Sequence, residues 1–244
     1  MTYCVGMMLN DGIMFMSDTR TNAGLDNISS FCKMTTWEVP GERVMTLMSA
    51  GNLATTQAVV SLLNERGKSP EDRTPVLHEV PSMFQAARLI ADTMREVIEL
   101  HHESGQTATN AFGATLILGG QVKGQPPRMF LIYPEGNFIE ASNDTPFFQI
   151  GEMKYGRPIL VRAYDPALKF EDAMKLMLVS FDSTLKANLT VGMPLDYHFY
   201  QTDTLKTGQT GRVEADNAYF QEISEGWGDA LKTALASLPP FTEA

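Results

Sequence analysis

The sequence predicts an α+β chain in which antiparallel strands are covered by amphipathic helices. Short apolar runs broken by turn residues fall into two groups, residues 3–51 and 111–151, the pattern of antiparallel strands. Between and after these groups stand longer segments whose apolar residues recur every three or four positions, as on a helix with one buried face. The order is strands, two helices, strands, a helix, a strand and a helix, and sheets with apolar outer faces need covering layers of that kind. No repeat, low-complexity tract or linker divides the chain, so one domain spanning 1–244 is expected.

Tyr3 to Leu9 is apolar and rich in β-branched and aromatic residues, and Asn10-Asp11-Gly12 is a hairpin turn signal. Ile13 to Thr21 returns, apolar to Met16 and polar beyond. An extended piece around Lys33 to Trp37 turns at Pro40-Gly41 into Val44 to Ala50, and the four segments read as one antiparallel sheet. Asn52 caps a helix with Ala54, Ala58 and Leu62 on one side, and Gly67 ends it. Ser82 to Gln85 has the form of a capping box, ahead of Met83, Ala87, Ile90, Met94, Val97 and His101 at helical spacing, with Gly105 closing the helix. Strands follow at Ala111 to Leu118, Arg128 to Tyr133, Phe138 to Ala141 and Phe147 to Gly151, with turns at Gly119-Gly120 and Glu135-Gly136-Asn137. Phe170 to about Asn188 is a helix with Phe170, Met174, Met177, Phe181 and Leu185 in one stripe. Gly192 to Thr202 is strand-like, Gly208 to Gly211 is a turn, and a last helix carries Ile223, Trp227, Leu231, Ala234 and Leu238.

A net charge of −10 disfavours nucleic acid and anionic membrane surfaces as partners. The chain has no run long enough to span a membrane and no signal-peptide pattern, and its two cysteines are too few for a disulfide scaffold, so a cytoplasmic protein is expected. Adjacent His101 and His102 point to different sides of a helix, and no other cluster has metal spacing, so neither metal nor cofactor is expected. A Cys–His protease would need a histidine placed by a motif, and none of His78, His101, His102 or His198 has one.

Thr2 carries the most chemistry. A small residue after Met1 permits removal of the initiator methionine, and an amino-terminal threonine unites a hydroxyl nucleophile with an amine base. The α-amino group has an ordinary pKa of about 7.7–8.0, suited to general-base work near neutrality. A tight hairpin turning at residues 10–12 sets Thr2 roughly opposite residues 18–21, which brings Asp18 close. Lys33 is a lone cation in a neutral stretch, and burial would demand a carboxylate partner such as Asp18. On those grounds alone the pair reads as either a structural or a catalytic ion pair.

Thr2 on a glycine-containing strand, then Asp18-Thr19-Arg20 with Gly24 beyond, then Lys33, then Ser49-Ala50-Gly51 opening a helix, resembles the proteasome-type branch of the amino-terminal-nucleophile hydrolases. The strings SDTRTNAG, SAGNLATTQ, IGEMKYG and DSTLKANLTVG look like the bacterial Anbu group of that branch. The resemblance covers essentially the whole chain and implies a four-layer αββα sandwich. It also implies a threonine hydrolase of peptide or related amide bonds, assembled with copies of itself into a ring or spiral, and admits an unfoldase or adaptor partner. Catalytic roles then fall to Thr2 as nucleophile, Lys33 as the group lowering its proton affinity and Asp18 as the group orienting Lys33. The Gly51 N–H would form the oxyanion site. Thr21, Asn22, Ser49 and Gly51 would contact an extended substrate, with Arg20, Glu152 and Asp182 in support. Two departures are visible. Lys33 lies one residue nearer the nucleophile than in most proteasome β subunits, and Glu152 stands where the family carries a serine. A carboxylate there would favour the ammonium form of the terminal amine. The same fold and assembly also suit a scaffold of little activity, or an enzyme acting on a small non-protein amide.

Overall fold

The computed structural model describes residues 2–22, 28–68, 75–102 and 112–242. The chain runs β1 (Tyr3–Leu9), β2 (Gly12–Asp18), β3 (Arg20–Asn22), β4 (Ile28–Ser30), β5 (Met34–Val39), β6 (Arg43–Gly51), α1 (Leu53–Arg66) and α2 (Met83–His102). It continues through β7 (Ala114–Val122), β8 (Arg128–Ile132), β9 (Phe138–Glu140), β10 (Phe147–Gly151), α3 (Arg157–Ala163), α4 (Phe170–Ala187), β11 (Leu195–Gln201), β12 (Gln209–Val213) and α5 (Ala218–Ala236). Sheet 1 has the order β10-β1-β2-β11-β12 and sheet 2 the order β5-β6-β7-β8-β9, while β3 and β4 pair as a separate hairpin.

Alternation along the strands explains why both sheets are stacked and covered. Tyr3, Val5 and Met7 of β1, with Met14 and Met16 of β2, pack against Met177 and Phe181 of α4. The intervening Cys4, Ile13 and Phe15 turn the other way and meet Met48, Ile117 and Met129 of sheet 2. On the far side of sheet 2, Leu47, Leu116 and Phe130 pack against Met83, Ile90, Met94 and Val97 of α2. Strands apolar on both faces therefore sit in the middle of a four-layer αββα sandwich, the predicted architecture.

Several element-level expectations are corrected. The first four segments do not form one sheet: β1 and β2 belong to sheet 1, β5 and β6 to sheet 2, and β5 begins at Met34. The return strand breaks at Thr19, whose hydroxyl donates to the Pro194 carbonyl at 2.9 Å, before β3 begins. Gly119-Gly120 is not a turn but the middle of β7, where a Cβ on Gly119 would stand 2.7 Å from the Phe15 ring. The missing side chain there lets sheet 1 and sheet 2 approach. Residues 209–211 belong to β12, paired with β11. On α1 the buried residues are Thr55, Thr56, Val59 and Leu63, one position on from the expected Ala54, Ala58 and Leu62. Leu231 and Leu238 of the last apolar stripe are exposed. The helix α3 was not anticipated, and Gly105 lies outside the described residues. Asn52 and Ser82 do cap their helices, accepting from the N–H groups of Thr55 at 3.1 Å and Gln85 at 3.2 Å. No helix among the described residues is long and apolar enough to cross a membrane.

Candidate active site

The start of β1 is fastened from both sides. The Thr2 carbonyl accepts the Glu152 N–H at 2.7 Å, and Tyr3 pairs with Gly151 in register. Gly151 has φ +82°, and a Cβ there would fall 1.9 Å from the Thr2 carbonyl oxygen, so only glycine admits this approach. Next along, the Tyr3 hydroxyl is bonded to Ser180 at 2.7 Å and accepts from Gln149 Nε2 at 2.7 Å. Burial pushes the Tyr3 phenol up to about 12, so it stays protonated. Thr2, half-buried, continues the alternation of β1 onto the face of Cys4, which looks into the space between the sheets.

The β1–β2 register, with Cys4 opposite Ser17, sets Asp18 against Tyr3. Asp18 is fully buried and takes three donors. The Tyr3 N–H reaches Oδ1 at 3.0 Å, Lys33 Nζ reaches the same oxygen at 2.7 Å, and the Gly192 N–H reaches Oδ2 at 3.2 Å. Burial pushes the Asp18 carboxyl up, while the Lys33 ammonium and the two main-chain donors pull against it. Lys33, 7% exposed, also donates to the Arg20 carbonyl at 2.5 Å, and its own carbonyl accepts the Ser49 N–H at 3.0 Å. It therefore enters from the sheet 2 side and ends in sheet 1. Cys4, though near, is no rival nucleophile, because burial pushes its thiol far up and leaves it protonated.

Gly51 ends β6 with φ +118°, exposed, directly before the Asn52 cap of α1. A cavity of about 340 Å³ opens between β6 and α1, lined by Lys33, Ser49, Leu53, Thr56, Gln57 and Val60 among others. Among the described residues Lys33 is the only charged one lining it, and that charge is committed to Asp18.

The proteasome subunit family matches residues 2–193. The chain belongs to that family, in its Anbu branch. Anbu (Gly-1) mutant from Hyphomicrobium sp. strain MC1 is 48% identical with a TM-score of 0.92, each chain covered in full. Anbu (ancestral beta-subunit) from Yersinia bercovieri is also 48% identical, with a TM-score of 0.91 over 99% of this chain and 100% of that one. The helical assembly of the Anbu complex from Pseudomonas aeruginosa contains a chain 44% identical, TM-score 0.91, covering 99% of this chain and 98% of that one. Among curated proteins no sequence matches.

The remaining residues singled out in this proteasome-family chain divide into two sets. Asp18 and Lys33 are in direct contact, Ser49 meets Lys33 through its main chain, Thr2 is joined to Asp18 only through its neighbour Tyr3, and Glu152 touches Thr2 through its main chain. The buried Glu152 carboxylate is held by the Lys154 N–H at 3.1 Å and by Asn188 Nδ2 at 2.9 Å, which ties it to the C-terminal cap of α4. Arg20 joins the cluster through its carbonyl, which accepts Lys33 Nζ, while its side chain turns away, Nη1 donating to the Leu189 carbonyl at 2.8 Å on the loop that supplies Gly192. Asp182, buried on α4, pairs with Lys186 at 3.1 Å. Thr21 and Asn22 pair with Ser29 and Ile28 in the β3–β4 hairpin. Tyr3, Gly192, Asn188 and Ser180 were not picked out in advance. Main-chain donors leave no side-chain pattern to read, although Tyr beside a suspected nucleophile was a usable signal. Among the described residues no His, Cys, Asp or Glu group could hold a metal, and the His101 and His102 side chains lie outside that description.

Proposed function

We propose that this chain is a proteasome-type threonine hydrolase working within an assembly of its own copies, a ring or spiral, with Thr2 as the nucleophile once Met1 has been removed. The Thr2 hydroxyl attacks the carbonyl carbon of a peptide or related amide. Lys33, oriented by Asp18, lowers the proton affinity of that hydroxyl, and the freed amine accepts its proton. The Gly51 N–H stabilises the oxyanion at a point where the start of α1 favours negative charge. Thr21, Asn22, Ser49 and Gly51 hold the acyl segment extended, and the cavity beside Lys33 receives an uncharged side chain. Glu152 and Asp182 flank the terminus, and Arg20 steadies the loop behind Asp18.

The observation carrying this reading is the buried Asp18–Lys33 pair, whose carboxylate is anchored to the N–H of the residue next to Thr2. That anchor sets the pair against the strand start that carries Thr2. The helical assembly of the Pseudomonas aeruginosa Anbu complex supports self-association. The test is reaction with a peptide β-lactone: the parent chain acquires one adduct and Thr2→Ala none. Equal labelling of Thr2→Ala would refute the assignment.

A further inference from the structure

A second cavity, about 460 Å³, opens where the ends of β6, β7 and β8 approach β10. It includes Gly151, which lies against Thr2, and Gly51 at the end of β6, together with Thr115, Leu131, Tyr133 and Met153. Among the described residues that line it, none is charged. Its strand wall is prepared for an extended chain. β10 is the end strand of sheet 1, so among the described residues its outer side has no neighbour within the sheet. The bonds from Glu152 N–H to Thr2 and from Met8 N–H to Pro146 fix the phase of the β1–β10 ladder. Residues 148, 150 and 152 therefore direct their main-chain groups to β1, and Gln149 and Gly151 direct theirs outward along the free edge.

We infer that this cavity holds the amine side of the substrate: the peptide segment beyond the bond that is cut, extended along β10, with an uncharged apolar or aromatic residue against Leu131, Tyr133 and Met153. The inference rests on Thr2 as nucleophile. With the carbonyl held at Gly51, an extended substrate leaves that point in two directions. The cavity at Lys33 and Ser49 takes the acyl direction, and the recess between Gly51 and Gly151 is open to the other. In the step itself the Thr2 Oγ–carbon bond forms, the carbon–nitrogen bond breaks, and the hydroxyl proton ends on the departing nitrogen. The product in the recess is a peptide with a new free amine. Main-chain pairing with Gly151 supplies affinity without regard to sequence, while the uncharged walls select the leading side chain.

Binding can be read without turnover. The Thr2→Ala full-length protein is titrated with a tetrapeptide carrying a free amine, a leading phenylalanine and a C-terminal fluorophore, and fluorescence anisotropy is followed. Saturable binding is expected. Thr115→Trp, which fills the recess, and Met153→Glu, which sets a carboxylate at its half-exposed rim, should each weaken it about tenfold. Because Met153 is 49% exposed, its replacement leaves the core intact and keeps the test valid should Thr115→Trp misfold. A tetrapeptide led by glutamate should bind about tenfold more weakly than the phenylalanine peptide. Absence of saturable binding, unchanged affinity in Met153→Glu, or equal affinity for the glutamate peptide would overturn the inference. Failure of β-lactone labelling at Thr2 is a separate result and contradicts the nucleophile instead.

Discussion

Lys33, directly before β5 of sheet 2, and Asp18 of sheet 1 are both buried, so removing either strands the other. Lys33→Met should therefore cost about 3–5 kcal/mol of stability. Lys33→Arg retains the charge but replaces a compact ammonium with a wide fork. It should leave the chain folded and assembled and should abolish β-lactone labelling at Thr2, whereas a folded Lys33→Arg protein labelling at the parent rate would reduce Lys33 to a structural cation. Glu152 offers a second test. In the proposed mechanism its carboxylate would favour the ammonium form of the Thr2 amine and so hold the base function to higher pH. In Glu152→Gln the acid limb of the labelling rate should move to lower pH, and an unmoved limb would disconnect Glu152 from the amine. At this scale the sequence was informative where side chains make the contact, as in the pairing of Asp18 with Lys33. It was silent where main-chain donors such as Tyr3 and Gly192 do, because any residue type supplies an N–H.

Among elements, the order of strands and helices was legible, and the assignment of strands to sheets was not. Each of β1, β2, β5 and β6 is apolar in a way that suits either sheet, and only long-range pairing decides. Gly119 misled because glycine marks turns in most contexts, whereas here it admits the Phe15 ring between the sheets. The α1 face slipped by one position because its buried side includes Thr55 and Thr56, polar by composition. A sheet-to-sheet tie lies at His198 on β11. Its Nε2 accepts the Gly208 N–H at 3.2 Å, which leaves Nδ1 protonated to donate to Thr46 Oγ1 of β6 at 2.8 Å. Burial pushes His198 down to about 4, so the folded chain refuses a proton that the unfolded chain takes up below about 6.5. Stability present above pH 6.5 is then lost as pH falls to 4, by about 3 kcal/mol from this group. The stability difference between the parent and His198→Asn should narrow by that amount over the window in denaturant unfolding. A constant difference would show that His198 does not titrate as a buried neutral imidazole.

For the whole molecule, the apolar row on α5 and beyond has a helical period but little burial within one chain. Leu231, Leu235, Leu238 and Phe241 are 50%, 71%, 63% and 90% exposed. We expect a neighbouring copy to cover this row in the assembly proposed above. Sedimentation at micromolar concentration should find a large oligomer, and a double substitution of Leu231 and Leu235 by glutamate should shift it toward smaller species. A stable monomer of the parent chain would contradict the assembly. The four-layer sandwich was implied by the resemblance to the proteasome-type hydrolases, and the order of strands and amphipathic helices agrees with it. The outward face of α5 was not legible, since periodicity marks an apolar stripe without naming the surface that meets it.

The central claim is that Thr2 acts as a free amino-terminal nucleophile. Treating the purified protein with a peptide epoxyketone and sequencing its amino-terminal peptide by tandem mass spectrometry tests this most directly, because the closed ring of that adduct uses both the hydroxyl and the amine. The account predicts a peptide that begins at Thr2 and carries the adduct through both atoms. An unmodified Thr2, an adduct on another residue, or a chain that retains Met1 under conditions of activity would contradict it.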